Sequence, residues 1–389
     1  MFGNIIGWAH TPFGKLVDET LETLVRRVAS EALAHAGVAA QDVDEIVIGH
    51  FNQGLDPQGS PASLVLQADP ALRFKPATRV ENACATGSAA VRWASTQIRS
   101  GQAKIVLVIG VEKMTAASAE QVRQALVSAS YVVQEGGPEA SFTGLFADIA
   151  QQYFSRYGDQ SDALARIAAK NHRNGALNPL AHMRKDLGLE FCQQVCERNP
   201  YVAFPLRRTD CSMISDGAAA LVLASDDVAL GRDWQIGLRA MTQVNDFLPI
   251  SRRDITRFEG AAKAWHDALA SADLQLRDLD FVETHDCFTI AELIEYEAMG
   301  LTLPGQGARA VAEGWTEPDG RLPVNLSGGL KAKGHPIGAT GVSMHVMAAM
   351  QLAGQAPGLQ LASGPRLGGI FNMGGAAVAN YVSILERTR

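Results

Sequence analysis

The feature that most constrains this chain is that it repeats itself once, at long range. Residues 34–51, AHAGVAAQDVDEIVIGHF, parallel residues 270–288, ASADLQLRDLDFVETHDCF; each offers a helix tail, an Asp-x-Asp step (Asp42/Asp44 and Asp278/Asp280) and then a strand. A second echo follows in the same order, TGSAAVRWASTQIRSGQA from Thr86 being answered by TGVSMHVMAAMQLAGQA from Thr340. A period of roughly 240–250 residues is far too long for a solenoid, whose units reach about 50. It implies two similar α/β halves.

Local patterns fill in these halves. Over residues 18–36 the apolar side chains Leu21, Leu24, Val25, Val28 and Leu33 recur at helical spacing and stop at Gly37. Residues 45–48 and the almost wholly apolar 104–110 read as short strands covered by helices on both faces. From 115 to about 201 mixed helical segments interrupt the alternation, and 216–224 resumes it as the strand that closes the first sheet. Residues 234–243 open the second half, and 368–378 read as two strands around a glycine turn that brings bare backbone N–H groups to a site. The chain thus divides into a first half (1–114 with 205–230), an inserted loop subdomain (115–204) and a second half (231–389).

Composition narrows the class. At 389 residues and 47% hydrophobic content the chain buries one large core or two fused ones. A net charge of -7 gives no basic footprint for nucleic acid, and no Lys/Arg-rich amphipathic stretch marks a membrane surface, so a small-molecule substrate is expected. Five cysteines, an odd number in a long chain, read as reduced thiols rather than a disulfide framework. Cys192 and Cys196 are four apart, but no second ligand pair accompanies them, and no metal is expected. The start at Met1 lacks a charged segment before a long apolar run, and no window reaches 18 apolar residues. These traits describe a cytoplasmic enzyme.

Three constellations carry chemistry. In Val80-Glu81-Asn82-Ala83-Cys84-Ala85-Thr86-Gly87-Ser88 an extended stretch gives way to an alanine-rich helix, with Cys84 in its first turn, where N-terminal amides favour the thiolate. A buried structural cysteine is the competing reading from position alone. Val282-Glu283-Thr284-His285-Asp286-Cys287-Phe288 ends a strand, and Thr289-x-x-Glu292 is a capping-box signature for the following helix. His285 and Cys287 therefore lie at a strand-to-helix edge, where α/β sheets bind ligands, unless they are ordinary core residues. Finally, the glycine-flanked loop from Gly328 to Gly341 puts His335 just ahead of the repeat partner of the Cys84 helix. With pseudo-twofold symmetry both helix starts face one centre, and His335 can activate Cys84.

The Asn-Ala-Cys-Ala-Thr-Gly-Ser run, the Gly-His-Pro-Ile-Gly-Ala-Thr-Gly run, the Asp-Gly-Ala-Ala-Ala strand and the duplicated halves together resemble the thiolase family over essentially the whole chain. Two departures make it similar to the sterol-carrier-protein-type members. His285-Asp286-Cys287-Phe288 stands where the ordinary family has Asn-Glu-Ala-Phe, and Asn372-Met373-Gly374 where it has Cys-x-Gly. The resemblance implies an α/β thiolase fold: two related βαβαβαββ halves in a five-layered αβαβα sandwich, with the insertion covering the acyl and CoA site. It also implies a homodimer or dimer of dimers, Glu81 and Asn82 lying on a strand that pairs across the interface.

The activity so implied is cleavage of a 3-ketoacyl-CoA by CoA, or the reverse Claisen condensation, with CoA and acyl-CoA as substrates and no bound cofactor. Cys84 would carry the acyl group, His335 take its proton, and Cys287 protonate the acetyl-CoA enolate and later deprotonate CoA. His335 and His285 would form one oxyanion hole, and the backbone N–H groups of Cys84 and Gly374 the other. A decarboxylating condensing enzyme of the same fold is an alternative, against which Cys287 counts. Another is a partner-dependent thiolase-like subunit working with a small OB-fold protein, against which the retained Cys84 counts. Lys331, Lys333, Arg207 and Arg208 are candidate contacts for the CoA phosphates, although solvated surface charge is the commoner fate of such residues. Phe142, Leu145, Phe146, Tyr153 and Phe154 are expected to line an acyl tunnel that would take fatty, branched or steroid chains.

Overall fold

The computed structural model describes residues 2–232 and 234–389, so Met1, on which the expected leaderless start lies, and Asp233 are outside it. The first half runs β1 (Asn4–His10), α1 (Leu21–Ala36), β2 (Glu45–Gly49), β3 (Ala77–Val80), α2 (Thr86–Arg99) and β4 (Ile105–Glu112). An excursion follows through α3 (Phe142–Tyr157), α4 (Ser161–Ala176) and a hairpin of β5 (Tyr201–Ala203) with β6 (Leu206–Arg207), before β7 (Gly217–Ala224) returns to the sheet. The second half runs β8 (Ile236–Asn245), α5 (Glu259–Ala272), β9 (Phe281–Glu283), α6 (Thr289–Ala298), α7 (Gly329–Lys333), α8 (Ile337–Ala353), β10 (Leu367–Gly374) and β11 (Ala379–Arg387).

The strand order β3-β2-β4-β7-β1-β8-β11-β10-β9 reads nearly the same from either end. Within each half the outer strands are parallel and the inner ones antiparallel. Where the first half ends in β3, the second has a single parallel bridge, Val282 to Val324. The strand ladder between the halves is short, pairing Asn4 with Gly237 and Ile5 with Ile236 of β1 and β8. Side chains add to it, Glu112 accepting the Gly338 N–H at 2.9 Å and Asn82 donating to the Tyr381 hydroxyl at 2.8 Å, and hydrophobic burial joins them further. α1 covers the outer face of the first sheet, α5 that of the second, and α2 and α8 pack together between them.

The repeat is visible in side chains as well. Asp44 accepts the N–H groups of Lys104 and Ile105 at 2.7 and 2.9 Å, and Asp280 those of Arg366 and Leu367 at the same distances. Each aspartate thus pins the start of the neighbouring parallel strand. At the centre, Gly87 and Gly341 allow the two inner helices to touch: a Cβ on Gly87 would lie 2.6 Å from the Gly341 nitrogen, and one on Gly341 2.2 Å from the Ser88 nitrogen. Any side chain at either position would push the helix starts apart.

The helices of the excursion fold over the second half. α4 packs on α6 and α7, and Phe146 of α3 stacks on Phe288 with ring centroids 4.5 Å apart.

Candidate active site

Thr86 builds the turn that carries Cys84. After β3 the chain reverses through Ala83, whose φ of 48° is left-handed, a conformation that costs a residue with a Cβ roughly 1–2 kcal/mol. The Thr86 hydroxyl holds that turn from both sides, accepting the Asn82 N–H at 2.8 Å and donating to the Ala83 carbonyl at 2.6 Å. Cys84 stands two residues ahead of α2 rather than in its first turn, a correction to the sequence reading. Gly374, at the end of β10, packs on the same turn, and a Cβ there would fall 2.4 Å from the Asn82 carbonyl oxygen. The next residue, Gly375, directs its backbone N–H at the Cys84 sulfur.

His335 lies on the loop between α7 and α8. Its Nδ1 is 2.7 Å from Thr340 Oγ1, and that hydroxyl donates to the Pro336 carbonyl at 2.9 Å. A hydroxyl has one proton to give, so Thr340 accepts from Nδ1–H and leaves Nε2 with a lone pair. His285, beyond the end of β9, meets His335 edge to face, with ring centroids 5.2 Å apart at 86°. Its Nδ1 lies 2.8 Å from Asn372 Nδ2. Both Nε2 atoms are buried without a partner, and Cys84 Sγ and one ring nitrogen of each histidine lie within 4.8 Å of one another. A free lone pair beside a thiol is the geometry of a general base.

Burial sets the resting protonation. It pushes the Cys84 thiol up to about 12, outweighing hydrogen bonds from the Gly375 and Cys84 amides that pull the other way. The expected thiolate is thereby corrected: in the empty site the thiol keeps its proton, because desolvation beats the helix start. Burial, with Cys84 nearby, also raises the Cys287 thiol well above its usual range. His335 is pushed down to about 3 by burial and the charge of Lys333, and burial beside His335 holds His285 well below the usual imidazole range. The site at rest is a set of neutral donors and acceptors.

A buried polar network ties the two loops together. Asp286 accepts the N–H groups of Leu330 and Lys331 at 2.6 and 3.1 Å and the Asn171 amide at 2.7 Å, joining the His285–Cys287 segment to α7 and α4. The capping box expected of Thr289 and Glu292 does not form, since the cap position is Phe288 and makes no side-chain bond. Glu292 instead accepts from Lys170 at 2.7 Å, Asn171 at 2.6 Å and Asn325 at 3.0 Å, while Thr289 donates to Asp210 at 2.9 Å. A buried carboxylate is better satisfied by a buried ammonium than by a helix end.

The cations named from the sequence are corrected likewise. Lys331, Lys333 and Arg207 are 2%, 1% and 3% exposed, so they are neither solvated charges nor within reach of a phosphate in solvent. Lys331 Nζ lies 3.2 Å from His172 Nε2, Lys333 donates to Ser343 at 2.9 Å, and Arg207 pairs with Asp210 at 2.8 Å. Arg208 alone of the four is exposed.

A narrow cavity ends on Cys84, Cys287 and His335, walled by Met114, Leu126, Phe142 and Ile337. It shares walls with a wider outer groove that reaches Lys15 and Arg123, two cations the sequence reading passed over. Of the five side chains expected to line the tunnel, Phe142 does. Phe146 and Tyr153 are fully buried in the core, and Leu145 and Phe154 pack against it. Thr340, Asn372 and Gly375 were also missed; the one available signal was Asn372, a polar residue inside an otherwise apolar strand.

The chain has relatives among known proteins. Residues 4–187 match the family model described as "Thiolase, N-terminal domain", and 243–387 that described as "Thiolase C-terminal domain-like". The chain is 36% identical to an acetyl-CoA acetyltransferase of Methanothermobacter thermautotrophicus, over 98% of this chain and 99% of that one. It is 30% identical to sterol carrier protein 2 of Oryctolagus cuniculus, over 91% of this chain and 66% of that one. Among solved structures, one titled "Ltp2-ChsH2(DUF35) aldolase" superposes with a TM-score of 0.84 at 22% identity, covering 100% of this chain and 98% of that one.

Proposed function

The chain belongs to the thiolase family, and we propose that it cleaves a 3-ketoacyl-CoA with CoA, or runs the reverse Claisen condensation, through an acyl-Cys84 intermediate. His335 Nε2 takes the Cys84 proton as sulfur attacks the 3-keto carbon, and the resulting alkoxide is held by the Cys84 N–H and the Gly374–Gly375 turn. Collapse breaks the C2–C3 bond, leaving the acyl group on Cys84 and expelling the acetyl-CoA enolate, which takes its C2 proton from Cys287. CoA then enters, gives its thiol proton to the Cys287 thiolate and attacks the thioester. Cys84 leaves as thiolate and recovers its proton from His335.

The observation that carries this reading is the meeting of Cys84 with the imidazole of His335, whose Nε2 is free, at the end of an apolar cavity that Cys287 also lines. CoA thioesters suit a narrow cavity opening into a groove with cations at its rim. β3 lies at one edge of the sheet, where a second copy would extend it, and this position supports a homodimer. Five unpaired cysteines fit a reducing compartment such as the cytoplasm, and among the described residues no helix is long and apolar enough to cross a membrane. A partner-dependent subunit is the second reading, favoured by the likeness to the aldolase assembly.

Thiolysis of a panel of 3-ketoacyl-CoA esters tests both. The wild-type chain alone should release acetyl-CoA, Cys84→Ala should lose about 10⁴-fold or more, and Cys287→Ala about 10²–10⁴-fold. Full activity of Cys84→Ala would sink the assignment, and activity only with an added partner would favour the second reading.

A further inference from the structure

We infer that Asn372 is the positioning residue that holds the proton of His285 on Nε2, so that the two histidines offer the reacting atoms opposite groups: a lone pair from His335 and an N–H from His285. The inference rests on the acyl-transfer reading of Cys84 and His335 and goes on to name what makes the pair asymmetric.

Asn372 is fully buried in β10 between apolar neighbours, Ile370, Phe371 and Met373. Its Nδ2 donates to the Cys84 carbonyl at 3.1 Å. A carbonyl has no proton to give, so this bond decides which end of the amide is NH₂. The same nitrogen lies 2.8 Å from His285 Nδ1, so its second hydrogen points at the ring, and Nδ1 must accept it. A neutral imidazole has one proton, and the only place left for it is Nε2, which is buried and unpartnered. At His335 the order is reversed, because Thr340 accepts from Nδ1–H. An N–H is what a developing oxyanion requires, whereas a second lone pair would repel it.

The same amide explains how a cluster with the spacing of a metal site is kept for proton transfer. A thiol and two imidazoles with ligand atoms within 4.8 Å suit a soft divalent cation such as zinc. Such a site needs a lone pair from each ring, and the other ring nitrogen then donates to a carboxylate or carbonyl. Asn372 presents a donor at that place and takes one lone pair out of play.

Asn372→Asp reverses the polarity at Nδ1 and tests this directly. In thiolysis of acetoacetyl-CoA its kcat should fall by roughly 10²–10³-fold. Added Co²⁺ should give the variant a sulfur-to-cobalt charge-transfer band that the wild type lacks. A variant with wild-type kcat and no cobalt band would overturn the inference, as a purely structural role predicts no gain of metal binding. Nitrogen NMR of wild-type protein labelled in its histidines, with the His285 signals identified by their loss in His285→Gln, needs no Asn372 variant to fold. Protonated Nε2 with bare Nδ1 supports the assignment, and protonated Nδ1 overturns it. Should Cys84→Ala retain thiolysis while His285 carries its proton on Nε2, the proposed function fails and the tautomer assignment stands.

Discussion

The two inner helices carry the same dipeptide near their starts, Thr86-Gly87 in one half and Thr340-Gly341 in the other, and put it to different use. The glycines act alike, each making room for the other helix. The threonines do not. Thr86 gives both of its hydrogen bonds to backbone and so shapes the strained turn under Cys84. Thr340 gives one to the Pro336 carbonyl and one to a side chain, the Nδ1 of His335. The helix starts differ to match, since α8 begins at Ile337, three residues before its threonine, and α2 begins at Thr86 itself. α8 is buried along nearly its whole length, whereas α2 exposes Arg92 and Trp93. A repeated scaffold thus presents a thiol in one copy and an imidazole in the other by changing what stands just ahead of the helix.

The contrast can be broken most sharply at the threonines. Thr340→Val leaves the His335 ring without its acceptor, and kcat for thiolysis should drop by roughly 10–100-fold, the usual cost of losing a ring-orienting partner. Thr86→Val should instead act on the fold, lowering the unfolding free energy in urea by about 1–3 kcal/mol, because it leaves the half-buried Asn82 N–H without its acceptor. Exchanged outcomes would refute the division of labour. A smaller effect concerns the paired aspartates, where the comparison expects equality: Asp44→Ala and Asp280→Ala should each cost about 1–2 kcal/mol in urea titrations. A difference well above 1 kcal/mol would mean that the halves are alike in outline only.

The smallest expected change is none at all. Burial pushes His335 from 6.5 down to about 3, so it stays a neutral, competent base above that value. kcat/KM for acetoacetyl-CoA should therefore be level from pH 8 to pH 6. A loss centred near 6.5 would put His335 in a solvated setting.

What could be read in the sequence was what repeats or alternates. The Asp-x-Asp steps, the Thr-Gly helix starts and the apolar strands follow from local chemistry, and they were enough to pair Cys84 with His335. Burial depth was not legible. Lys331, Lys333 and Arg207 look like surface cations in one dimension, and only the packing of α4 on α6 and α7 encloses the first of them. Glu292 had the spacing of a helix cap but answers to Lys170, more than a hundred residues away. Asn372 was noticed for the cysteine it replaces, while its role depends on the carbonyl of Cys84 and the ring of His285, brought to it by two other elements. Polar residues inside an apolar run declare that they have partners without saying which.

The depth of Cys84 also bears on how the protein endures when idle. Peroxides attack thiolates and reach exposed sulfur first. At 3% exposure and with its thiol pushed up to about 12, Cys84 keeps its proton at pH 7. Burial of this kind shields the sulfur from the oxidative loss that ends the working life of many cysteine enzymes.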